Sequence, residues 1–312
     1  RAARTLFGFP EGEEDDGALL LTRSRRLREA IQESRVRHSS VVLDVDALTE
    51  DAQSLRLFVS PVSGRQYEGQ AVGTSILISD VTELKKAEGI RSEFTANVSH
   101  ELKTPLQGIV GSAELIQSGM VKPEDMPRFV GHIHDEASRM VTLVEDIIRL
   151  SQLDEGDAMP TETVDLLVLS QEAVTNLQDA AAKQRVSLSV DGDHAPVTGV
   201  RRLLYEVIFN LCDNAIKYNV PDGTVKVQVS SENGISSVTV SDTGIGIAPA
   251  DQKRVFERFY RVDKSHSKMT GGTGLGLSIV KHGAALHGAA LTLDSTLNVG
   301  TRITLTFPKN KK

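Results

Sequence analysis

The stretch FTANVSHELKTPLQGIVGSAELI, which runs from Phe94 to Ile116, decides the fold of the central part of the chain. Its apolar residues step by 4, 4, 4, 3, 4 and 3 positions, which is the spacing of one face of an α-helix. A second stretch with this spacing runs from Met126 to Ile147, and the turn residues Ser118, Gly119 and Pro123 separate the two. The sequence therefore predicts two long amphipathic helices that form an antiparallel hairpin.

A single helical hairpin leaves the apolar side of each helix uncovered. Two copies related by a twofold axis would bury these sides in a four-helix bundle. We therefore expect a homodimer in which each copy contributes one hairpin.

The sequence divides into three zones, of which the middle one holds this helical pattern. Residues 1–81 carry an acidic run and a short helical pattern near Leu27, followed by three β patterns that favour an antiparallel meander. Residues 82–157 hold the hairpin, and residues 158–312 alternate helical and β patterns, which favours an α/β sandwich. The expected fold class is α+β and multidomain.

The last zone contains the regular elements that the α/β sandwich requires. Helices are predicted at Leu166–Lys183, Arg201–Tyr218 and Ser278–Leu286, and strands at Ser187–Val190, Val225–Ser230, Val238–Ser241, Ala290–Asp294 and Arg302–Phe307.

Composition narrows the function classes. The chain has 312 residues, 42 acidic against 35 basic, and a net charge of -7, which disfavours a surface built to bind nucleic acid.

Its one cysteine, Cys212, lies in an apolar run and is expected to be a buried thiol in a reducing compartment. No apolar run reaches the roughly 18 residues of a membrane helix. The chain begins at Arg1 rather than Met, so we expect a piece of a longer protein.

The first candidate site surrounds His100, which lies two positions off the apolar stripe and is expected to point outward. A neutral imidazole is a good nitrogen nucleophile, and the carboxylate of Glu101 can hold its tautomer or take its proton. Thr104 lies one turn further on the same face and could orient a water. Pro105 lacks an N–H and should bend the helix beside the histidine. The alternative is an ordinary surface histidine.

The second candidate site is a polar stripe on the helix predicted at Arg201–Tyr218. Glu206, Asn210, Asn214 and Lys217 follow one another at spacings of 4, 4 and 3, so they share one face. Mg²⁺ takes oxygen ligands and needs few protein groups beside substrate phosphates, so the amide oxygen of Asn210 suits it. A solvated helix face is the alternative.

Two glycine-rich loops form the remaining candidates. The run from Asp242 to Ile247 follows a strand, and its two glycines would allow close approach to a flat ligand such as adenine. The run from Gly271 to Ser278 enters a helix, where backbone N–H groups and the helix dipole favour an anion. The segment between them resembles a mobile lid with cationic groups. A simple turn is the alternative for the first loop.

Several enzyme classes are excluded by their missing motifs. The chain has no Gly-x-x-x-x-Gly-Lys-Ser/Thr, so it is not a P-loop protein. It also lacks His-Arg-Asp and Asp-Phe-Gly, the signatures of Ser/Thr/Tyr kinases, and the His-Glu-x-x-His of zinc proteases.

In this order, the segments resemble the H, N, G1, F and G2 boxes of the sensor histidine kinases of two-component systems. The resemblance covers about residues 82–312. Within the family, the chain is similar to the subgroup of phosphate-sensor and cell-wall-sensor kinases. The resemblance implies a protein-histidine kinase that uses ATP and Mg²⁺ and serves a response regulator. By this resemblance His100 is the phospho-acceptor, Glu101 its acid/base partner, Thr104 the phosphatase residue and Asn210 the Mg²⁺ ligand.

The resemblance also implies a nucleotide site. Its residues would be Glu206, Asn210, Asn214, Lys217, Tyr218, Asp242, Gly244, Gly246, Ile247, Tyr260, Arg261, Lys264, Gly272, Thr273, Gly274, Leu275, Gly276 and Leu277.

Residues 1–81 resemble part of a PAS sensor domain that lacks its first two strands. Ala2–Gly8 would be its helix-loop, and Asp80–Thr82 its exit into the hairpin. The resemblance implies the cytoplasmic portion of a membrane-anchored bacterial sensor whose membrane segments lie upstream of Arg1.

Two other functions stay open from the residues. One is an ATPase clamp with the same nucleotide-binding fold, which would lack the histidine hairpin. The other is a scaffold that docks a response regulator and acts as a phosphatase. The sequence does not identify the stimulus, a PAS ligand, the regulator, or whether each copy phosphorylates its own histidine or its partner's.

Overall fold

The computed structural model describes residues 25–46, 53–63, 71–155, 159–262 and 272–309. The chain divides into two compact units, Arg1–Ala96 and Asn97–Lys312. This division falls inside the first hairpin helix, and the domain boundaries near residues 82 and 158 stay predictions. None of the helices in the described ranges combines the length and the apolar composition needed to cross a membrane.

In its described residues, the first unit has a helix packed on a three-stranded sheet. It contains helix α1 (Arg25–Arg37) and strands β1 (Val41–Asp46), β2 (Ser54–Ser63) and β3 (Ala71–Asp80). The strands pair antiparallel in the order β1-β2-β3, which confirms the predicted meander. Alternate residues Leu55, Leu57 and Val59 face Leu27 and Ala30 of the helix and form its core. The acidic run and Ala2–Gly8 lie outside the described residues, and the PAS assignment stays a prediction.

The helical hairpin has the predicted form. Helix α2 (Thr82–Gln117) and helix α3 (Met126–Glu155) are joined by a short turn of 3₁₀-helix at Pro123–Asp125. Helix α2 continues through Pro105, which removes one backbone N–H without ending the helix. Apolar residues on both helices are exposed in the single chain, as expected of a hairpin with an uncovered side: Leu106, Val110, Val130, Val141, Val144 and Ile148.

The remaining elements form a two-layer α/β domain. Its helices are α4 (Leu166–Lys183), α5 (Arg201–Lys217) and α6 (Gly276–Leu286). Its strands are β4 (Glu162–Asp165), β5 (Ser187–Gly192), β6 (Pro196–Gly199), β7 (Thr224–Glu232), β8 (Ile235–Asp242), β9 (Ala290–Thr296) and β10 (Gly300–Phe307).

The main sheet has the order β5-β7-β8-β10-β9, with β5 and β7 parallel and the other pairs antiparallel. A separate two-stranded sheet joins β4 to β6. Sequence analysis missed this small sheet because each strand has only four residues.

The core of this domain lies between the sheet and the helices α4 and α5. Val225, Val227 and Val229 alternate along β7 and are fully buried against the helices. Full burial of one such side chain contributes about 1.5–3 kcal/mol. Cys212 belongs to this core as predicted, and burial raises the pKa of its thiol to about 12.

His287 forms hydrogen bonds that connect α6 to the start of α5. Its Nδ1–H donates to the carbonyl of Gly283 at 2.7 Å, and its Nε2 accepts the backbone N–H of Val200, just before α5, at 3.0 Å. The ring is therefore neutral and holds the end of α6 against the start of α5. Burial lowers the pKa of His287.

This arrangement predicts a stability that depends on pH. A protonated His287 could not accept the N–H of Val200, so the native state favours the neutral ring. The stabilisation is complete above the ordinary histidine pKa of about 6.5 and is lost as the pH falls through that value toward the lowered native pKa. The free energy of unfolding in urea should fall as the pH is lowered through about 6.5, by at most roughly 1.4 kcal/mol per pH unit for one proton. His287→Gln, which keeps an acceptor but does not titrate, should have a shallower slope; equal slopes would contradict this role.

Candidate functional site

His100 is an exposed histidine held beside a carboxylate. Its side chain is 80% exposed, and its Nδ1 lies 3.8 Å from Oε1 of Glu101. The other oxygen of Glu101 faces Nη2 of Arg139 on α3, at 3.7 Å, and the Arg139 side chain is only 18% exposed. Glu101 therefore lies between the imidazole and a partly buried guanidinium. The outward direction of His100 agrees with the helical pattern.

Thr104 lies near His100, but its hydroxyl is engaged with the backbone. Its Oγ1 donates to the carbonyl of His100 at 3.3 Å, the usual bond of a helical threonine. A change of side-chain rotamer would be needed to turn this hydroxyl to a water beside the imidazole.

A large cavity lies in the same unit. It has a volume of about 1160 Å³ and is bordered by α5, the end of β8, both glycine-rich loops and one face of α3. It gathers most of the residues that the sequence assigned to a nucleotide: Glu206, Asn210, Asn214, Lys217, Tyr218, Asp242, Gly246, Ile247, Tyr260, Arg261, Gly272, Thr273, Gly274, Gly276 and Leu277. Gly244 and Leu275 are buried behind its wall. Lys264 lies outside the described residues.

The polar face of α5 forms one wall of the cavity. The amide nitrogen of Asn210 donates to the carbonyl of Glu206 at 2.9 Å, which turns its amide oxygen toward Gly276. The ammonium of Lys217 pairs with Asp213 at 2.6 Å, a partner that sequence analysis did not identify. This face therefore offers an oriented amide oxygen and a cation that already has a carboxylate partner.

Asp242 lies at the end of β8, where the first glycine-rich loop begins. Its Oδ1 accepts the backbone N–H groups of Gly244 at 2.8 Å and Thr301 at 3.2 Å. Burial raises the pKa of Asp242, and these two N–H groups oppose the shift. Because both bonds end on Oδ1, Oδ2 is the oxygen that can accept an exocyclic amine from a ligand.

Gly246 is required by the conformation of this loop. Its φ is +66°, and a Cβ there would lie 2.1 Å from the carbonyl oxygen of Thr296. The loop can therefore lie close to β9 only with glycine at this position.

The second glycine-rich loop leads into α6, whose first residue is Gly276. A Cβ on Gly276 would lie 2.9 Å from the amide oxygen of Asn210. The loop is thus in contact with α5, and the N-terminus of α6 opens on the cavity. Backbone N–H groups at this position suit an anion such as phosphate.

The segment before this loop has aromatic and cationic side chains with partners of their own. The hydroxyl of Tyr260 donates to Asp251 at 2.6 Å, and this bond raises its pKa. Arg254 lies over the Tyr260 ring, 4.3 Å from its centre. Arg261 is half-buried, and burial lowers its pKa. Tyr260 is therefore held by its own segment rather than directed at a phosphate.

Helix α3 supplies a wall that sequence analysis missed. Thr142, Glu145, Asp146 and Arg149 border the cavity. The hydroxyl of Thr273 donates to Asp146 at 2.7 Å, and Nε of Arg149 lies 3.4 Å from Glu206. Burial raises the pKa of Asp146, and the Thr273 hydroxyl partly offsets it. The polar spacing of these residues was visible in the sequence, but their partner element was not.

Comparisons with known proteins agree with this geometry. Residues 90–156 match the family described as His Kinase A (phospho-acceptor) domain. Residues 199–311 match the family described as Histidine kinase-, DNA gyrase B-, and HSP90-like ATPase. The two matches divide between the hairpin and the α/β domain.

Curated relatives share much of the chain. The sensor-like histidine kinase SenX3 of Mycolicibacterium smegmatis is 40% identical over 75% of this chain and 62% of its own length. The sensor protein kinase WalK of Staphylococcus aureus is 31% identical over 89% of this chain and 67% of its own length. The chain thus spans less than two thirds of the length of SenX3.

A solved structure shares the fold. It is that of histidine kinase ThkA in complex with the response regulator protein TrrA. It has a TM-score of 0.57 at 20% identity and covers 99% of this chain and 91% of that chain. The likeness supports the arrangement of a helical hairpin followed by an α/β domain.

The contact between Gly276 and Asn210 predicts a sensitive position. Gly276→Ala should force the Asn210 amide or the loop to move, at a cost of about 1–3 kcal/mol. Binding of a non-hydrolysable ATP analogue, measured by titration calorimetry, should weaken about tenfold or more. Gly131→Ala is the control, because a Cβ at Gly131 on α3 meets no atom within 4 Å. Equal affinity in Gly276→Ala and the native chain would show that this contact does not shape the site.

Proposed function

This chain belongs to the sensor histidine kinases of two-component systems, and from that premise we propose that it transfers the γ-phosphoryl group of ATP to His100. A response-regulator aspartate would then receive the group. The observation that carries the proposal is an exposed imidazole beside a carboxylate, in the same compact unit as a cavity with the features of a nucleotide site.

The geometry of His100 assigns different tasks to its two nitrogens. Nδ1 is the nitrogen on the side of Glu101, 3.8 Å from its Oε1, so the proposal places the proton of the neutral ring on Nδ1 and the attacking lone pair on Nε2. In the proposed step Nε2 forms a bond to the γ-phosphorus, and the bond between that phosphorus and the β–γ bridging oxygen breaks. ADP leaves with the electron pair of the broken bond. The Nδ1 proton, made acidic by the new bond, passes to Glu101.

Arg139 supports the task of Glu101. A guanidinium 3.7 Å from one carboxylate oxygen attracts the carboxylate, which favours the orientation in which the other oxygen lies near the imidazole. Phosphoryl transfer asks little covalent help of a protein, so positioning of this kind supplies much of the catalysis.

A magnesium ion fits the donors of the cavity. The described residues contain no cluster of three or more His, Cys, Asp or Glu side chains that could hold a metal by themselves. Mg²⁺ needs few protein ligands when phosphates supply the rest, and the oriented amide oxygen of Asn210 is suited to be one. When bound, the ion would neutralise phosphate charge.

The other residues of the cavity divide between the two ends of the nucleotide. Oδ2 of Asp242 would accept the adenine amine at the deep end. The N-terminus of α6 would hold phosphate oxygens through backbone N–H groups. Arg261, at the edge of the lid, would add positive charge near the γ-phosphate.

The partners proposed are a second copy and a response regulator. The exposed apolar residues of α2 and α3 support a four-helix bundle of two copies. ThkA was solved in complex with the response regulator protein TrrA, which supports a receiver partner for this chain.

We also propose that Thr104 serves dephosphorylation of the regulator. Residues 1–81 are proposed to be part of a PAS domain in a membrane-anchored sensor. An ATPase clamp is disfavoured, because residues 90–156 match a phospho-acceptor family.

Labelling with γ-labelled ATP and Mg²⁺ tests the acceptor. The native chain should acquire acid-labile, alkali-stable label, and His100→Gln should abolish it. His134→Gln is the matched control, since His134 is equally exposed and also lies beside a carboxylate, Asp135, at 3.5 Å. Label that persists in His100→Gln would refute the assignment. ATP binding without any label would favour the phosphatase scaffold.

Asn210→Ala tests the site that supports the reaction. Labelling should be lost, while stability should change by only about 1 kcal/mol, the value of one amide hydrogen bond. Thr175→Ala removes a similar side-chain bond to a helix carbonyl, 2.7 Å long, on the exposed face of α4 and should label normally. Undiminished labelling of Asn210→Ala would remove Asn210 from the ligand role.

A further inference from the structure

Ser295, on β9, has a hydroxyl that makes three hydrogen bonds next to the nucleotide cavity. Its Oγ accepts the backbone N–H of Ile247 at 2.8 Å and donates to the carbonyl of Gly300 at 3.0 Å. The hydroxyl oxygen of Thr301 lies 2.9 Å from the same Oγ. A serine hydroxyl has one hydrogen and two lone pairs, so Thr301 is the donor once Ser295 donates to Gly300. The whole bonding capacity of Ser295 is therefore used inside the protein.

Thr301 links this hydroxyl to the purine end of the cavity. Its backbone N–H donates to Oδ1 of Asp242 at 3.2 Å, and Thr301 itself borders the cavity. It is the cross-strand partner of Ser295 in the β9–β10 pair, so the two side chains lie on the same face of the sheet. Because its hydroxyl donates to Ser295, the Thr301 side chain has no hydrogen to donate to a ligand. The group that faces the purine 6-position is then Oδ2 of Asp242, an acceptor.

Gln252 connects the first glycine-rich loop to β9 by a second route. Its amide nitrogen donates to the carbonyl of Ile247 at 3.0 Å and to the carbonyl of Ser295 at 2.9 Å. These two bonds use both amide hydrogens, and neither involves Thr301. Gln252 therefore holds the loop against the strand without setting the direction of the Thr301 hydroxyl. Ser295 does both.

From this network we propose that Ser295 is a positioning residue that makes the cavity selective for adenine over a 6-oxo purine. The proposal rests on the nucleotide function proposed above, in which Asp242 accepts the adenine amine. By accepting the Thr301 hydroxyl, Ser295 removes the donor that a carbonyl oxygen at the purine 6-position would need. Without the serine hydroxyl, Thr301 can turn its hydrogen toward the cavity, and a 6-oxo purine gains a partner that it lacks in the native chain.

Binding of ADP and inosine diphosphate tests this role without a phosphoryl-transfer step. The two nucleotides differ only in the base, where hypoxanthine has a carbonyl in place of the adenine amine. In titration calorimetry with Mg²⁺, the native chain should bind ADP at least about tenfold more tightly than inosine diphosphate. Ser295→Ala should lower this ratio of affinities about fivefold or more. Ser295→Thr keeps a hydroxyl at this position and should restore most of the ratio.

Two further variants separate selectivity from the stability of the loop. Gln252→Ala loosens the same loop and should weaken both nucleotides by the same factor, which leaves the ratio unchanged. Ser230→Ala removes a 2.8 Å bond to the hydroxyl of Ser237 in the same sheet, and neither residue borders the cavity, so both affinities should stay native.

Three results would overturn the role of Ser295. The first is a native ratio in Ser295→Ala, and the second is a ratio that falls as far in Gln252→Ala. The third is a ratio in Ser295→Thr as low as that of the alanine variant, since the hydroxyl would then not be the cause.

The native chain separates the levels of the proposal. Equal affinity for ADP and inosine diphosphate there would overturn the adenine contact of Asp242, and the role of Ser295 with it. A native preference for ADP that Ser295→Ala retains would keep Asp242 in its role and overturn only that of Ser295. Neither result depends on labelling of His100, which decides the kinase function separately.

Discussion

Helix α3 contacts both Glu101, the neighbour of His100, and the elements that border the nucleotide cavity. On one side Arg139 holds Glu101, the neighbour of His100, and further along the helix Asp146 and Arg149 hold the loop and the helix that border the cavity. These contacts lie within one continuous helix, which keeps their spacing nearly fixed. The distance between acceptor and cavity therefore depends on how firmly the α/β domain is seated on this helix.

Several polar groups assigned to the nucleotide have partners inside the protein. Lys217 pairs with Asp213, Glu206 with Arg149, and Thr273 with Asp146. The Thr273–Asp146 contact is a hydrogen bond to a carboxyl group, a kind that contributes about 1.5–3 kcal/mol when the group is charged, so a triphosphate must offer a contact of similar strength to replace it. The carboxylate of Asp146 would also repel a triphosphate, because both groups are negatively charged. Nucleotide binding and the seating of the domain on α3 are thus expected to influence each other.

The elements of this fold could largely be predicted because their hydrophobic periods are long and regular. The spacing from Phe94 to Ile116 indicated α2, and the match at Leu166–Lys183 reached the ends of α4. Strands β4 and β6 were missed because four residues carry too little periodicity. Glycine at 246 was recognised from its motif, and the structure supplies the reason in its positive φ.

The candidate site was harder to predict, because its contacts join distant parts of the chain. Thr273 and Asp146 are 127 residues apart, and spacing along a helix cannot reveal a partner on another element. For the same reason Asp251 was not foreseen as the partner of Tyr260. Motifs identified which residues belong together, while packing decided which of them already have partners.

The central claim is that the phosphoryl group goes to one nitrogen of one histidine. The most direct measurement is two-dimensional ¹H–³¹P NMR of the phosphorylated chain, which identifies the ring nitrogen bonded to phosphorus. Because Glu101 faces Nδ1, the account predicts a single phosphohistidine with phosphorus on Nε2 of His100. Phosphorus on Nδ1, or on a carboxylate or hydroxyl oxygen, would contradict it.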